Sequence, residues 1–323
     1  MSSGCGRYEV LVMWKQTGEA STEDEHRIEA VLAQVDAWRG QTMRYRPVAG
    51  GISNHNWRVA DAAGQAFFLK VPGRGTEMFV SREASNEASR RAHGCGVGVE
   101  VVEFLPAEGV EIFAFAHGYR ASSNLDFMRG TVRHNAVRAL RAFNDSPRLS
   151  LTKTVFEAID EHLAQIAQVG ARLPEDIAQM RRCVADAQDA LQAAGMDLVP
   201  CMNDTLAGNF MINAADELLL VDFEYATNNE RAYELALWFT EMAFPVEIEQ
   251  EMIEAYFGRL DRAAQARVNV LKGLADIKWA SWAMVQEAVS TLDFDFHKYG
   301  TWKYRRARTQ IYHPDWPVWL RHM

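Results

Sequence analysis

The stretch Cys201–Met211, CMNDTLAGNFM, decides the fold of this chain, together with LLLVDFEYA at Leu218–Ala226. It holds an Asn-Asp pair, an Asn five residues after Asp204, and a predicted hairpin that leads into Asp-Phe-Glu. Asp204 follows a predicted loop, Asn209 begins a strand, and Asp222 ends the returning strand. We therefore expect these three side chains to converge at one end of the hairpin.

Two carboxylates and an amide carbonyl are hard oxygen ligands, suited to Mg²⁺ that also binds phosphate oxygens. In phosphoryl transfer one Asp orients or deprotonates the attacking hydroxyl, while Asn and Asp hold the metal. A D-x4-N pattern alone is weak evidence, because Asp and Asn are common in turns. Followed by a strand and D-F-E, the same pattern is typical of protein-kinase-like folds.

Composition excludes several classes of protein. The chain has 323 residues, 48% of them hydrophobic and 24% charged, and a net charge of −9, so a basic nucleic-acid surface is not expected. Four cysteines without CxxC spacing indicate reduced thiols rather than a zinc site or disulfides. No signal peptide or membrane span is apparent. We expect a cytoplasmic protein with no nucleic-acid or membrane partner, either a monomer or a homodimer.

Hydrophobic periodicity predicts an α+β protein with two lobes. Short β-like runs and a helix near 80–93 occupy the first third. They follow a helix that begins with a capping box at Thr22 and Glu25 and has an apolar face of Ile28, Val31, Leu32, Val35 and Trp38. Helical patterns then cover roughly 131–145, 154–170, 175–194, 231–243, 247–260 and 264–291, interrupted by one hairpin. We predict a nucleotide-binding lobe over 1–120, with 1–20 as a loose arm, and a catalytic, substrate-binding lobe over 121–323.

The first lobe offers candidate phosphate-binding groups. Lys70 lies in the strand AFFLKV, and a carboxylate from the next helix would aim its amine at phosphate oxygens. Glu83 is the preferred carboxylate and Glu87 the alternative. The turn AGGISN would cover the phosphates, because Gly50 and Gly51 allow close backbone approach.

A second constellation lies on helical segments of the second lobe. Trp279 and Trp282 are three residues apart and share one helix face, which usually means core packing. Glu241 stands in the otherwise apolar run LALWFTEMAF and needs a partner. A small ammonium compound would satisfy both, since Trp provides a strong cation–π face. Beside the Asp204 loop, we favour the binding pocket over the core interpretation.

These motifs resemble those of the choline/ethanolamine kinases, within the aminoglycoside phosphotransferase superfamily. GGISN is similar to their phosphate loop, MNDTLAGN to their catalytic loop, and DFEYATNNERAYELALWFTE to their metal loop and following helix. WASWAMVQEAVSTLDFDFHKY resembles their choline-pocket segment. The similarity spans about residues 45–304 and implies a bilobal protein-kinase-like fold, with a β-rich N-terminal lobe and a larger helical C-terminal lobe.

The resemblance implies a role for each matching position. Asp204 would be the catalytic base, and one or two Mg²⁺ ions would bind Asn209 and Asp222. The remaining roles are ATP binding by Lys70, Glu83, Gly50, Gly51 and Ser53, amine binding by Glu241, Trp279, Trp282 and Tyr299, and bracing of the loops by Glu224, Arg231 and Met202.

Met202 departs from the family pattern, which has His there. The His would hydrogen-bond the backbone and pack beneath the Asp, so Met can fill its volume without the polar contact. One lost hydrogen bond is worth about 1 kcal/mol, and the resulting mispositioning would slow transfer about tenfold. Thr205, where related kinases often have a hydrophobic residue, is a second departure. Its hydroxyl is expected to cap the loop, and the alternative is a contact with the substrate.

The sequence therefore predicts an ATP- and Mg²⁺-dependent kinase of a small cationic amino alcohol, choline or ethanolamine. One alternative is a kinase of another small hydroxylated metabolite or of an aminoglycoside. The other is a kinase-like protein that binds a nucleotide or amine without catalysis, an idea motivated by Met202. Intact Lys70, Asn209 and Asp222 argue against that last interpretation.

Overall fold

The computed structural model describes residues 13–48, 54–73 and 80–323. They belong to two compact units: Met1–Glu83 with Glu100–Ala116, and Ala84–Val99 with His117–Met323. The predicted α+β class is confirmed, with a β-rich N-terminal region and a mainly helical C-terminal part. The functional boundary drawn at residue 120 stays a prediction.

The first unit is built on one antiparallel sheet with the strand order β1-β2-β3-β4-β6-β5. The strands are β1 Lys15–Gln16, β2 Arg44–Val48, β3 Asn54–Ala60, β4 Ala66–Pro72, β5 Val101–Leu105 and β6 Val110–Ala114. Helix α1, Glu23–Leu32, packs on it, and its predicted capping box at Thr22 and Glu25 is confirmed. β1 falls in the stretch predicted as a loose arm, and that part is not loose, because it pairs with β2.

The core of this unit forms where the apolar face of α1 meets the sheet. Ile28, Val31 and Leu32 are buried as predicted. The α-helix ends earlier than the periodicity suggests, but the chain continues through a 3₁₀ turn, Asp36–Trp38, that still buries Trp38. The predicted apolar face therefore extends beyond the helix itself.

The second unit is mainly helical. Its helices are α2 Arg82–Gly94, whose first residues belong to the first unit, then α3 Gly130–Asn144, α4 Val155–Val169, α5 Ile177–Ala194, α6 Arg231–Met242, α7 Val246–Phe257, α8 Arg262–Val289, α9 Phe296–Ile311 and α10 Trp316–His322. The patterns predicted between 131 and 291 correspond to α3–α8. The sequence analysis did not assign α9 or α10, and both pack on α8. The buried Trp316 anchors the C-terminal segment there.

Two small antiparallel sheets carry the motif that opened the sequence analysis. Strands β9 Phe210–Ile212 and β10 Leu218–Leu220 form the predicted hairpin, and β7 Arg120–Ala121 extends it. The other sheet pairs β8 Leu198–Cys201 with β11 Thr227–Glu230 and was not predicted. These two sheets hold the two ends of the loop between Cys201 and Phe210.

Helices α8 and α9 approach closely at Gly300. A side chain there would place its Cβ 3.1 Å from Cβ of Ala283 and 3.2 Å from the carbonyl oxygen of Ala280. Contacts that short displace their neighbours, so glycine lets α9 lie directly against α8.

Within the described residues, no helix is both long and apolar enough to span a bilayer.

A buried histidine connects α4 to α8 and predicts acid sensitivity. The side chain of His162 is 6% exposed, and Nδ1 lies 3.2 Å from the carbonyl oxygen of Lys278. Burial lowers the pKa of His162 to about 3, with a smaller effect of nearby Lys278 in the same direction. The folded protein thus keeps this imidazole neutral at pH values where the unfolded chain protonates it.

Stability should therefore fall as the pH drops below about 6.5, by about 1.4 kcal/mol per pH unit from this group alone. We expect His162→Gln, which keeps a donor for the carbonyl, to flatten the loss between pH 6.5 and 5 by about 2 kcal/mol. Urea unfolding at several pH values measures this difference. Replacing the exposed His93 is the control, and an unchanged slope in His162→Gln would contradict the prediction.

Candidate active site

The Asp204 loop, residues 202–206, leaves β8 through a left-handed residue. Asn203 has φ 57°, a conformation that Asn tolerates better than most residues. Its amide Nδ2 donates to the carbonyl oxygen of Tyr225 at 2.9 Å and to Oγ1 of Thr227 at 2.8 Å, and its Oδ1 accepts from Nδ2 of Asn229 at 3.0 Å. The side chain thereby ties the loop to the segment around β11.

Glu234 of α6 holds the same loop from the other side. Its carboxylate accepts the backbone N–H of Met202 at 2.7 Å and that of Asn203 at 3.1 Å. Asn144 also donates to it, at 3.3 Å. Glu234 is fully buried, and burial raises its pKa to about 7. The sequence analysis missed this residue, because its importance depends on where α6 packs.

Asp204 and Asn209 come together as predicted from their spacing. Nδ2 of Asn209 donates to Oδ2 of Asp204 at 3.0 Å and to its backbone oxygen at 2.9 Å. The N–H of Val221 donates to the carbonyl oxygen of Asn209 at 3.0 Å, which places the next residue, Asp222, beside this pair. Asp222 has φ 68°, a left-handed turn directly after the hairpin.

Burial dominates the electrostatics of Asp204, which is only 9% exposed. Its pKa is raised well above the usual range by desolvation and by the carboxylate of Asp222, and Lys278 opposes that rise. A carboxylate with a raised pKa is a stronger base once it is ionised. The position therefore suits a group that accepts or orients a hydroxyl proton.

The donor set fits a hard cation. With its NH₂ turned toward Asp204, the Asn209 amide has its carbonyl oxygen on the opposite side, and the Asp222 carboxylate supplies further oxygens. Within the described residues, no group of three or more His, Cys, Asp or Glu side chains could hold a metal ion. Mg²⁺ bound by Asn209 and Asp222 would take phosphate oxygens among its remaining ligands.

An aromatic cluster lies on α8 and α9. Trp279 and Trp282 are buried, their ring centroids are 5.4 Å apart, and the rings meet edge to face. Tyr225 packs on Trp279 at 5.0 Å, and Tyr299 lies 6.3 Å from Trp282. Tyr225 directly follows the Asp-Phe-Glu motif in the sequence. Because Tyr225 packs on Trp279, the aromatic cluster lies next to that motif.

Glu241 has a partner within the chain. Its Oε1 contacts Nζ of Lys303 and lies 3.6 Å from a guanidinium nitrogen of Arg306. Asp276 completes the cluster with a 2.5 Å ion pair to Arg306. The sequence argument that this carboxylate needs a partner is thus met by α9 itself, and a role for Glu241 in amine binding stays a prediction.

Lys278 is the site residue most clearly missed by the sequence analysis. Its ammonium lies 3.2 Å from the ring centroid of Trp279 and 4.6 Å from that of Tyr225. The residue is 5% exposed, and burial lowers its pKa. A Lys within an apolar helix was the available signal, equivalent to the one that singled out Glu241.

The sequence analysis predicts bracing roles for Arg231, Glu224 and Met202. Arg231 pairs with Asp197 and Asp145, each at 2.6 Å, and so secures the start of α6. Glu224 is buried. Met202 is fully buried, as the packing argument requires. Its backbone N–H, rather than its side chain, makes the hydrogen bond to Glu234.

Thr205 is fully buried, and its hydroxyl has no hydrogen-bond partner within the described part of the chain. The expectation that this hydroxyl caps the loop is therefore wrong for the part of the chain that the structure describes.

The predicted ATP-binding residues of the first unit are placed in part. Lys70 is buried on β4, and the strand register sets it opposite Glu111 of β6, a buried carboxylate that the sequence analysis did not consider. Glu83 is exposed in the first turn of α2. The alternative, Glu87, accepts hydrogen bonds from the backbone and the hydroxyl of Ser150.

The predicted phosphate turn, with Gly50, Gly51 and Ser53, lies outside the described residues. The pairing of Lys70 with Glu83 stays a prediction.

Comparison with known proteins identifies relatives. A family model described as Choline/ethanolamine kinase matches residues 45–257. A probable ethanolamine kinase of Arabidopsis thaliana is 28% identical over 127 residues, which is 33% of this chain and 34% of the relative. Ethanolamine kinase 2 of Mus musculus is 23% identical over 317 residues, covering 83% of this chain and 76% of that protein.

Solved structures share the fold. A choline/ethanolamine kinase family protein from Mesorhizobium loti superimposes with a TM-score of 0.79 and 26% identity, covering 93% of this chain and 98% of that one. A macrolide 2'-phosphotransferase type I has a TM-score of 0.59 and 13% identity, covering 89% and 98%. The second likeness concerns the fold alone.

Proposed function

The chain belongs to the choline/ethanolamine kinase family, and we propose that it transfers the terminal phosphate of ATP to the hydroxyl of choline or ethanolamine. Membership confirms the predicted family and makes the protein a small-molecule kinase. The observation that supports this specific reaction is the pairing of buried Asp204 with Asn209, in a unit that also carries the aromatic cluster on α8 and α9.

In this proposal Asp204 orients the acceptor hydroxyl and takes its proton. The hydrogen bond from Asn209 fixes Oδ2, and Oδ1 is then the oxygen offered to the hydroxyl. Glu234 and the Asn203 network keep the backbone of the loop in place, so that the carboxylate is already positioned before the substrate binds.

Mg²⁺ fits the oxygen donors Asn209 and Asp222, and when bound it would neutralise charge on the phosphate oxygens. Lys70 is proposed to bind phosphate of ATP, with Glu83 as the carboxylate that orients it and the turn containing Gly50, Gly51 and Ser53 as the phosphate loop. Trp279, Trp282 and Tyr299 would pack against the acceptor, and Glu241 would balance its charge.

The test is ADP release from Mg-ATP with choline, ethanolamine and one aminoglycoside. We expect turnover on an amino alcohol and none on the aminoglycoside. If only the aminoglycoside is phosphorylated, the proposed acceptor class is wrong. If ATP binds without turnover on any alcohol, the protein is a non-catalytic binder and the proposal fails.

The departure at Met202 leads to a separate prediction. Because Glu234 holds the backbone at this position, we expect Met202→His to change kcat by less than about tenfold. Steady-state kinetics on the best acceptor measure the effect, with Met202→Leu as a variant of similar volume. A gain of a hundredfold in Met202→His would show instead that the missing imidazole limits the wild-type enzyme.

A further inference from the structure

Two ammonium groups of the chain already occupy the features that would attract a substrate cation. Lys278 lies over the ring of Trp279, with its Nζ 3.2 Å from the centroid. Lys303 contacts Oε1 of Glu241 and lies 5.3 Å from the ring centroid of Tyr299. A cation entering this region therefore meets a carboxylate that already contacts Lys303 and a ring face that Lys278 already covers.

The surroundings of Lys278 are unusual for a buried ammonium. Its Nζ has no hydrogen-bond partner within the described part of the chain. The aromatic faces of Tyr225 and Trp279 stabilise the ammonium group. They replace only part of the hydration that burial removes. Among the neighbouring charged groups, Asp204 has the largest effect on the pKa of Lys278. Lys278 therefore interacts with the proposed base as well as with the aromatic rings.

Glu241 still offers one oxygen. Both of its side-chain ion pairs use Oε1, and Oε2 makes no hydrogen bond within the described residues. That second oxygen is a suitable acceptor for an N–H group. A primary ammonium can donate to it, whereas a trimethylammonium cannot donate at all and relies on ring faces, one of which Lys278 covers.

We infer that Lys278 is a specificity-determining residue that excludes quaternary ammonium alcohols and favours acceptors whose nitrogen carries N–H groups. The inference rests on the proposed function, since it concerns the choice between the two alcohols named there. Lys278 blocks the Trp279 face to methyl groups, and Glu241 Oε2 can accept a hydrogen bond that only an N–H group can donate.

The first test compares kcat/KM for ethanolamine and choline in the wild type and in Lys278→Met, which keeps an unbranched side chain one atom shorter and removes its charge. We expect the wild type to prefer ethanolamine and the variant to shift the ratio toward choline by at least tenfold. Lys298→Met makes the same chemical change at an exposed position of α9 and should leave the ratio unchanged. An unchanged ratio in Lys278→Met overturns the inference.

A third acceptor, L-serine, distinguishes another role for the same side chain. If the wild type preferred L-serine to ethanolamine and Lys278→Met lost that preference, Lys278 would be a carboxylate-binding residue and the inference would be overturned. Lack of activity on L-serine is the expected result.

A binding measurement decides the matter without turnover or a variant. Methylammonium and tetramethylammonium are titrated into the wild-type protein, and tryptophan fluorescence is followed. We expect methylammonium to bind at least tenfold more tightly, and equal or tighter binding of tetramethylammonium overturns the inference. If no alcohol releases ADP, the proposed function fails, and this titration still tests the selectivity of the pocket.

Discussion

Asp204→Asn is expected to lower kcat by about 10²–10⁴-fold, the usual contribution of a positioned general base. The amide has nearly the same shape as the carboxylate but cannot accept the hydroxyl proton. The bond from Asn209 has an acceptor oxygen in either case, so the loop should keep its geometry. ATP binding should therefore persist while phosphoryl transfer is lost.

The same variant should not lose stability. Burial and Asp222 make the ionised carboxylate of Asp204 costly in the folded state, as its raised pKa indicates, and a neutral amide avoids that cost. Urea unfolding should give an unfolding free energy equal to or above that of the wild type. Asp189→Asn, on the exposed face of α5, is the matched control for both measurements. A kcat within tenfold of the wild type would rule out Asp204 as the base.

Glu234→Ala should be the most destabilising change in the loop region. It leaves the N–H groups of Met202 and Asn203 and the amide of Asn144 without their buried acceptor. Each unsatisfied buried donor costs about 1–3 kcal/mol, so a loss on the order of 3 kcal/mol or more is expected. Because the carboxylate also positions Asp204 through the backbone, kcat should fall by about a hundredfold.

Urea unfolding and steady-state kinetics of Glu234→Ala test both parts. Glu254→Ala, at an exposed position of α7, is the control and should change neither quantity appreciably. Glu234→Gln keeps one acceptor oxygen and should fall between the wild type and the Ala variant. Full activity in a destabilised Glu234→Ala would separate stability from loop positioning and contradict the positioning role.

Local sequence patterns predicted the elements that local interactions determine. The capping box at Thr22, the apolar face ending at Trp38, and the hairpin that leads from Asn209 back to Asp222 all depend on residues near one another in the chain. The spacing within one loop and one hairpin predicted a protein-kinase-like fold, and the resemblance of several motifs along the chain predicted the family.

The missed features depend on long-range packing. Glu234 braces residues about thirty positions earlier, and Lys303 reaches Glu241 across 62 positions. Neither distance has a sequence signature. Glu241 shows the limit most clearly, since the argument that it needs a partner was sound, but no local pattern could identify that partner as α9.

Gly300 sets the spacing between the two helices that carry most of the proposed amine-binding residues. Tyr299 precedes it directly, and Lys303 lies about one helical turn later on α9. Because the backbone of α9 rests on α8 at this point, the separation of the two helices also sets how far the ring of Tyr299 stands from Trp282. A single methyl group at position 300 would push the two helices apart, so the size of acceptor that the proposed pocket could hold depends on a residue that need not touch it.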